Sequence, residues 1–277
     1  MRLIYPEWQC CSHPSVHAGA RWLAAALPDD GDSIHIAAPE QETLVKTQQV
    51  YALPSIVERF RQAMRQLTAR RPDRLQMIGG TCGAEVAPVA WLNQRYAGEL
   101  AVIWFDAHAD LNTPQSSPSG EFHGMVLRTL TGEGPRELVE GIARPLVPGQ
   151  IFLAGVRELD QPERAFIERR NIALSPEIDA SSAGRLCAAI RAAGYRRIYL
   201  HIDVDVLNPD SFSGALMPTP GGPTPAALSA ALRRLSETFE VVGSSIVEYC
   251  GRTEQSRDQL IALLRDGGLL PTPGAAA

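Results

Sequence analysis

Short runs of apolar, often β-branched residues alternate with longer amphipathic stretches along most of this 277-residue chain. Seven runs have the composition of strands: RLIYP (2–6), SIHIAA (33–38), LQMIGG (75–80), LAVIWFDA (100–107), QIFLAGV (150–156), RIYLHIDVDV (197–206) and VVGSSIVEY (241–249). Nearly continuous apolar runs are typical of strands that are buried on both faces. The alternation therefore predicts an α/β fold with helices on both sides of a parallel sheet.

The stretches between these runs have the spacing of amphipathic helices. Examples are AGARWLAAAL (18–27), IVERFRQAMRQLTARR (56–71), PERAFIERR (162–170), AGRLCAAIRAAG (183–194) and TPAALSAALRRLSETF (224–239). The last of these has Thr224 as an N-cap and Pro225 at the first helical position, which is a standard start signal. We therefore expect this helix to begin at Pro225.

Acidic side chains follow two of the predicted strands. Asp106, His108 and Asp110 alternate after one strand, and Asp203 and Asp205 alternate after another. In open α/β sheets, ligands bind beyond the carboxyl ends of the strands. Each aspartate alone is compatible with a turn cap. Together, however, four carboxylates would repel one another without cations, and oxygen ligands with one imidazole suit Mn²⁺ or a similar hard divalent ion. The pattern predicts a site for two cations.

Composition excludes several classes of function. The net charge of −5 provides no basic surface for nucleic acid, and no apolar stretch approaches the roughly 18–20 residues that span a bilayer. The start MRLIYPEWQC has the pattern of a strand and not of a secretion signal. The five cysteines include no C-x-x-C pair, so a disulfide framework is not indicated. We expect a cytoplasmic protein with reduced thiols and no nucleic-acid or membrane partner.

From Met77 to Glu248 the chain resembles the arginase/agmatinase (ureohydrolase) family. DAHADLNTPQSSPSGEFHGM (106–125) is especially similar to arginases, and HIDVDVLNP (201–209) is similar to the family's D-x-D-x-x-D-P motif, with Asn208 in place of the third aspartate. The resemblance implies a three-layer α/β/α fold around an eight-stranded parallel sheet. It also implies two Mn²⁺ cofactors and hydrolysis of a linear amidine. No domain linker is evident, so we expect a single domain over residues 1–277, and the composition of PTPGAAA predicts a disordered tail from about residue 271.

The resemblance also assigns roles to the metal ligands. The implied ligands are Cys82, Asp106, His108, Asp110, Asp203 and Asp205. Asp106 and Asp203 would bridge both ions, and His108 and Asp205 would complete one of them. Cys82 and Asp110 would complete the other ion.

Substrate-binding and catalytic residues are implied in the same way. Asp110 and His123 would deliver a proton to the leaving amine, and Glu248 would pair with the guanidinium of the substrate. The segment from Leu111 to Gly124 is polar and lacks periodicity, which is typical of a functional or disordered loop. In arginases this loop holds an α-amino acid; the implied contacts are Asn112, Ser117 and Ser119 to its carboxylate and Asp160 to its amino group. The implied substrate is a small guanidino amino acid.

Cys82 in GGTCG (79–83) occupies the position of a metal-binding histidine of the family. A thiolate there would make the centre one unit more negative than an imidazole does, which raises the pKa of a bridging water and disfavours attack on plain arginine. The chain resembles a branch of the family, active in D-cycloserine (antibiotic) biosynthesis, that carries the same cysteine. That branch hydrolyses Nω-hydroxy-L-arginine to L-ornithine and hydroxyurea by metal-hydroxide attack on the guanidine carbon.

Three alternatives remain open at the level of sequence. The first is an ordinary arginase, which converts L-arginine to L-ornithine and urea, with Cys82 as a tolerated substitution. The second is a non-catalytic paralogue that binds arginine-like ligands. The third is a hydrolase with Cys82 as its nucleophile, although no spare base for it is evident in the sequence. Sequence also leaves open whether the protein is a homo-oligomer.

Overall fold

The computed structural model describes residues 1–28 and 31–271, and ten strands lie within them. In chain order they are β1 (Arg2–Tyr5), β2 (Ser33–His35), β3 (Lys46–Thr47), β4 (Val50–Tyr51), β5 (Leu75–Gly79), β6 (Ala101–Phe105), β7 (Ile151–Ala154), β8 (Ala173–Ser175), β9 (Arg197–Asp203) and β10 (Glu240–Val247). Strands β3 and β4 form a separate antiparallel hairpin. The other eight strands form one sheet, in the order β2-β1-β5-β10-β9-β6-β7-β8.

All neighbouring strands in the large sheet pair in parallel. Their carboxyl ends therefore lie along one edge, and β5, β10, β9 and β6 are the four central strands. Parallel strands require crossover connections, which are usually helices. The topology thus brings the segments that follow these four strands close together at the middle of one edge.

Nine α-helices are present in the described part of the chain. They are α1 (Ser15–Ala26), α2 (Leu53–Arg70), α3 (Val86–Arg95), α4 (Val126–Leu130), α5 (Arg136–Val139), α6 (Gln161–Arg170), α7 (Ala180–Ala192), α8 (Pro225–Thr238) and α9 (Glu254–Asp266). Helix α8 begins at Pro225, and the Thr224 Oγ1 atom accepts a hydrogen bond of 3.2 Å from the Ala227 amide. The predicted start of this helix is confirmed.

Two hydrophobic cores lie on the two faces of the sheet. One contains apolar side chains of α2–α6, and the other contains those of α1 and α7–α9. Successive residues of β6 alternate between them, since Val102 and Trp104 belong to the first core and Ile103 and Phe105 to the second. This alternation explains why the strand has no polar residue. The expected three-layer α/β/α fold with eight parallel strands is confirmed.

The seven strands expected from composition are all present. The eighth strand of the sheet, β8, was not predicted. Strand β8 has only three residues at the edge of the sheet, and Leu174 is 41% exposed. A short exposed edge strand produces no apolar run, so composition gives no signal for it. The predicted disordered tail lies, from residue 272 onwards, outside the described residues. Among the described helices, none has the length and apolar character that crossing a bilayer requires.

Candidate metal centre

The acidic residues predicted from the sequence converge beyond the four central strands. Cys82 follows β5, the segment from Asp106 to Asp110 follows β6, Asp203 ends β9, and Glu248 follows β10. These strands are neighbours in the sheet. Residues more than 160 positions apart in the chain therefore come within hydrogen-bond distance, as the 3.1 Å bond from the Cys82 amide to Glu248 Oε1 shows.

A single cavity contains all but one of the predicted site residues. The predicted residues that line it are Cys82, His108, Asp110, Asn112, Ser117, Ser119, His123, Asp160, Asp203, Asp205 and Glu248. Asp106 is fully buried beside the cavity, and its Oδ1 atom accepts a 2.6 Å hydrogen bond from the His108 amide. Met217, which is 46% exposed, adds an apolar side chain to the lining.

Three sets of side chains bring their donor atoms within 4.8 Å of one another, as metal ligands must. The sets are Cys82, Asp106, Asp110 and His201; Cys82, Asp203 and Glu248; and Asp106, His108 and Asp205. Asp106 belongs to two sets, as a bridging ligand would. Asp203 belongs to the set with Cys82 and Glu248 but not to the set that contains His108. Its implied bridging role therefore stays a prediction.

The electrostatics of this cluster fit divalent cations. Burial, together with the charge of neighbouring aspartates, raises the pKa of Asp110 and Asp203 well above the usual range. Buried Asp110 Oδ2 and Glu248 Oε2 also have no hydrogen-bond partner. Unpartnered buried carboxylate oxygens are costly. A hard cation with oxygen ligands removes that cost.

His108 is positioned by two of these carboxylates. Its Nδ1 atom lies 3.0 Å from Asp205 Oδ2 and 3.4 Å from Asp106 Oδ1. Partial burial lowers the pKa of His108, but the two aspartates outweigh this effect and raise its pKa to about 12 in the metal-free protein. A cation among the same donors would displace this proton.

Cys82 begins a 3₁₀ turn over Cys82–Glu85, and the Thr81 hydroxyl caps that turn. The backbone of Gly80 packs closely against that of Glu7, because a Cβ atom at position 80 would lie 1.9 Å from the carbonyl oxygen of Glu7. The Cys82 thiol is buried and donates a hydrogen bond of 3.1 Å to Asp203 Oδ2. Burial, and then the surrounding carboxylates, raise the pKa of this thiol. Such surroundings do not favour a free nucleophilic thiolate.

His201 is a buried imidazole at this site that the sequence analysis did not single out. Its Nε2 atom lies 3.9 Å from Cys82 Sγ, and its Nδ1 atom lies 2.8 Å from Glu85 Oε1. Burial lowers the pKa of His201, but Asp106 and Glu85 outweigh it and raise the pKa to about 9 in the metal-free protein. The sequence pattern H-x-D-x-D could have identified His201. In a strand, residues 201 and 203 point to the same face, as Asp106 and His108 were expected to do.

His123 and Glu248 lie together at the cavity. The Nδ1 atom of His123 is 3.4 Å from Glu248 Oε1, and its Nε2 atom is 3.6 Å from Glu121 Oε2. Burial lowers the pKa of His123, but the two glutamates have a larger and opposite effect. The pKa of His123 is therefore well above its usual value. Glu248 and Asp110 both have positive φ angles, +59° and +52°. Non-glycine residues in this strained region concentrate at functional sites.

The loop between β6 and α4 holds the predicted amino-acid clamp. Asn112 Nδ2 donates a hydrogen bond of 2.8 Å to Asp160 Oδ2, and Asn112 Oδ1 accepts one of 2.8 Å from Ser116 Oγ. Ser117 Oγ accepts a hydrogen bond of 3.0 Å from the Gly120 amide, and lies 3.5 Å from Ser119 Oγ. These bonds order the clamp before any ligand arrives.

We expect Mn²⁺ to raise the melting temperature of the protein, and to raise it more at pH 8 than at pH 6. In the metal-free folded state, Asp110, Asp203 and His108 all have raised pKa values. Folding therefore binds protons, and the metal-free protein loses stability as the pH rises through these values.

Cations displace these protons, and a site at 1,000 times its Kd adds about 4 kcal/mol to the stability of the folded protein. Thermal unfolding with EDTA or Mn²⁺ at both pH values, with Na⁺ matching ionic strength, measures the effect. An equal gain at both pH values would contradict it.

Comparison with known proteins agrees with this geometry. The sequence profile described as "Arginase family" matches residues 18–263. The arginase of Staphylococcus aureus (strain MRSA252) is 36% identical over 178 residues, which are 62% of this chain and 59% of that protein. The matched segment is therefore less than two thirds of the length of that relative.

Solved structures give the same result for the fold. The arginase of Bacillus caldovelox has a TM-score of 0.85 at 23% identity, over 99% of this chain and 98% of that one. The arginase of Entamoeba histolytica in complex with L-ornithine has a TM-score of 0.84 at 21% identity, over 96% of each chain. At these identities the likeness shows the fold alone. The family follows from the profile, which covers most of the residues, and the chain therefore belongs to the arginase family.

Proposed function

We propose that this protein is an amidinohydrolase with two Mn²⁺ ions that cleaves Nω-hydroxy-L-arginine to L-ornithine and hydroxyurea, as in the D-cycloserine branch of the family. The observation that carries the proposal is one cavity that combines a buried acidic cluster with a polar clamp of the size of an amino acid. The cavity has a volume of about 130 Å³.

The donor sets at the inner end of the cavity fit two divalent cations. The side chains that would hold them are Cys82, Asp106, His108, Asp110, Asp203 and Asp205. When bound, such cations supply Lewis acidity and a nucleophile at neutral pH, because they lower the pKa of coordinated water. The identity of the ion as Mn²⁺ is part of the proposal and rests on the predominance of hard oxygen donors.

The outer part of the cavity is suited to the α-amino acid end of the substrate. Asp160 is the only carboxylate in the predicted clamp, and it would bind the α-ammonium group. Hydroxyl and amide groups of Ser117, Ser119 and Asn112 would bind the α-carboxylate. Because the loop is already hydrogen-bonded, little conformational freedom is lost on binding, which favours affinity.

The inner part of the cavity is suited to the guanidine group. Glu248 Oε2 has no hydrogen-bond partner among the described residues, and this oxygen would pair with the guanidinium nitrogens. His123, whose pKa the neighbouring glutamates raise, would give a proton to the leaving nitrogen. The bond from the guanidine carbon to the side-chain nitrogen breaks, so that nitrogen becomes the amine of ornithine. The hydroxyl-bearing nitrogen stays with hydroxyurea.

Cys82 is the feature that favours the hydroxylated substrate over L-arginine. An anionic thiolate beside four aspartates weakens the Lewis acidity of the cations. A hydroxyguanidine is less basic than a guanidine, so its neutral and more electrophilic form is easier to reach. Ordinary arginase is the second candidate, and the relatives named arginase favour it.

Steady-state kinetics of the Mn²⁺-loaded protein on both substrates test the proposal. We expect kcat/KM for Nω-hydroxy-L-arginine to exceed that for L-arginine by about 100-fold or more, which is about 2.7 kcal/mol of differential transition-state binding. The products to be identified are hydroxyurea, urea and ornithine. Equal turnover of both substrates would establish an ordinary arginase instead. No product from protein with two bound ions would establish a non-catalytic paralogue.

We expect Asp160→Asn to raise KM for the substrate by about 10- to 100-fold and to change kcat little, because a hydrogen bond to a charged group contributes about 1.5–3 kcal/mol. Asp160 occupies the N-cap position of α6 without a cap hydrogen bond from its side chain, and asparagine is as good at that position as aspartate, so α6 should persist. The matched control is Asp179→Asn at the N-cap of α7, which should leave KM unchanged. An unchanged KM in Asp160→Asn would remove this residue from the clamp.

A further inference from the structure

We propose that His201 is a metal ligand, and that its Nε2 atom supplies the imidazole donor which the cysteine at position 82 does not. The inference deepens the proposed function, because it rests on the cation site of that proposal, although not on the choice of substrate. His201 is fully buried on β9, and it shares a donor set with Cys82, Asp106 and Asp110. The ion nearest Cys82 would then have thiolate, imidazole and carboxylate ligands.

The distances between donor atoms suit a shared ion. The Nε2 atom of His201 lies 3.9 Å from Cys82 Sγ and 3.6 Å from Asp106 Oδ2. Typical bonds to Zn²⁺ are about 2.3 Å for sulfur and about 2.1 Å for nitrogen or oxygen, so two donors on one ion lie at most about 4.4 Å or about 4.2 Å apart. Both observed separations are shorter than these limits. Each of these two pairs can therefore share one ion, and the donor atoms of the whole set lie within 4.8 Å of one another.

The contact between His201 Nε2 and Asp106 Oδ2 is a long ion pair of 3.6 Å without a hydrogen bond. A charge-assisted N–H···O bond is usually about 2.7–2.9 Å long, and 3.6 Å lies beyond hydrogen-bond range. The Oδ2 atom of Asp106 accepts its hydrogen bond from Trp104 Nε1 instead, at 3.1 Å. His201 Nε2 thus faces the acidic cluster, and its hydrogen-bond contact there is the long one to Cys82 Sγ, at 3.9 Å.

The other ring nitrogen fixes the tautomer that a ligand needs. Glu85 Oε1 lies 2.8 Å from His201 Nδ1, and Glu85 Oε2 accepts a 2.6 Å hydrogen bond from the Tyr199 hydroxyl. A carboxylate that accepts the Nδ1 proton leaves the Nε2 lone pair free, which is the usual arrangement of metal-binding histidines. Glu85 is therefore a positioning residue for His201.

The ring of His201 is also held in its orientation. It stacks on the Trp104 indole, with ring centroids 3.5 Å apart and an angle of 14° between the planes. Stacking on one face and the hydrogen bond to Glu85 prevent rotation of the ring away from the cluster. Such restraint lowers the entropy cost of binding an ion.

The first test is NMR of the full-length protein with ¹⁵N-labelled histidine, titrated with Zn²⁺ as a diamagnetic probe. We expect His201 Nε2 to lose its proton and shift on Zn²⁺ binding, while Nδ1 keeps its proton. His201→Gln assigns the resonance. If Nε2 keeps its proton at saturation, His201 is an imidazolium that balances charge, and the inference is overturned. If no histidine responds, His108 included, the cation site and the proposed function fail together.

The second test measures Mn²⁺ binding by calorimetry. We expect His201→Gln to weaken one of two binding events by at least 10-fold, and Glu85→Gln to weaken the same event to a smaller extent. The matched control is His17→Gln, because His17 is a buried histidine that contacts the Pro6 carbonyl and belongs to no donor set among the described residues. Two unchanged events in His201→Gln would overturn the inference. If that variant does not fold, the wild-type NMR result decides.

Discussion

Replacing Asp106 by asparagine is expected to reduce hydrolysis by about 10³-fold or more, because in the proposed centre both ions would lose a charged ligand. Asp106 belongs to two of the three donor sets, whereas each of the other aspartates belongs to one. An asparagine keeps the size of the side chain and one oxygen, but it removes the negative charge. Metal analysis after gel filtration should find less than two ions per chain, and steady-state kinetics should show the loss of activity.

The control for Asp106→Asn is Glu7→Gln, which also removes a buried carboxylate. Glu7 accepts hydrogen bonds from the Thr81 hydroxyl and the Cys10 amide and belongs to none of the donor sets. This variant should keep both ions. If Asp106→Asn also keeps two ions and full activity, the cluster is not the catalytic metal centre.

Most of the fold could be predicted from the sequence, because a buried parallel strand requires apolar residues on both faces. Strand β6 (AVIWF) is the clearest case, since its side chains enter two different cores. Strand β8 could not be predicted in this way. Its residues lie at the edge of the sheet, and pairing with β7 holds them there without deep burial.

Part of the candidate site could be identified from the sequence, and part could not. Asp106, His108 and Asp110 lie within five residues of one another, so their motif is readable locally. His201 forms its defining contact with Glu85, which is 116 positions away in the chain. Sequence spacing cannot show such a contact, because the adjacency of β9 to the segment after β5 depends on the strand order.

The position of β10 between β5 and β9 explains why Glu248 also belongs to this centre. The Glu248 amide donates a hydrogen bond of 2.9 Å to the carbonyl of Gly80, and Glu248 Oε1 accepts one from the Cys82 amide. These two bonds join the ends of β10 and β5. Because they use main-chain groups of residues 80 and 82, a histidine at position 82 would keep both bonds.

Replacing Cys82 by histidine is expected to shift the preference of the enzyme towards L-arginine. A neutral imidazole in place of the thiolate removes one negative charge from the centre, so the cations become stronger Lewis acids. The more basic guanidine of L-arginine then becomes a better substrate. We expect the ratio of kcat/KM for L-arginine to kcat/KM for Nω-hydroxy-L-arginine to rise by about 100-fold, or about 2.7 kcal/mol. Kinetics with both substrates measure this ratio.

The matched control for Cys82→His is Cys187→Ser. Cys187 is another buried thiol, but it lies in the core formed by α7 and belongs to no donor set of the described residues. Its replacement should leave the ratio unchanged even if stability falls. A ratio that stays constant in Cys82→His, with two ions bound, would show that the charge at position 82 does not select the substrate. Cys82 Sγ lies 3.9 Å from His201 Nε2, so the two positions can supply the same ligand. If adding Cys82→His to the His201→Gln variant restored its Mn²⁺ affinity, the centre would need one imidazole, from either position.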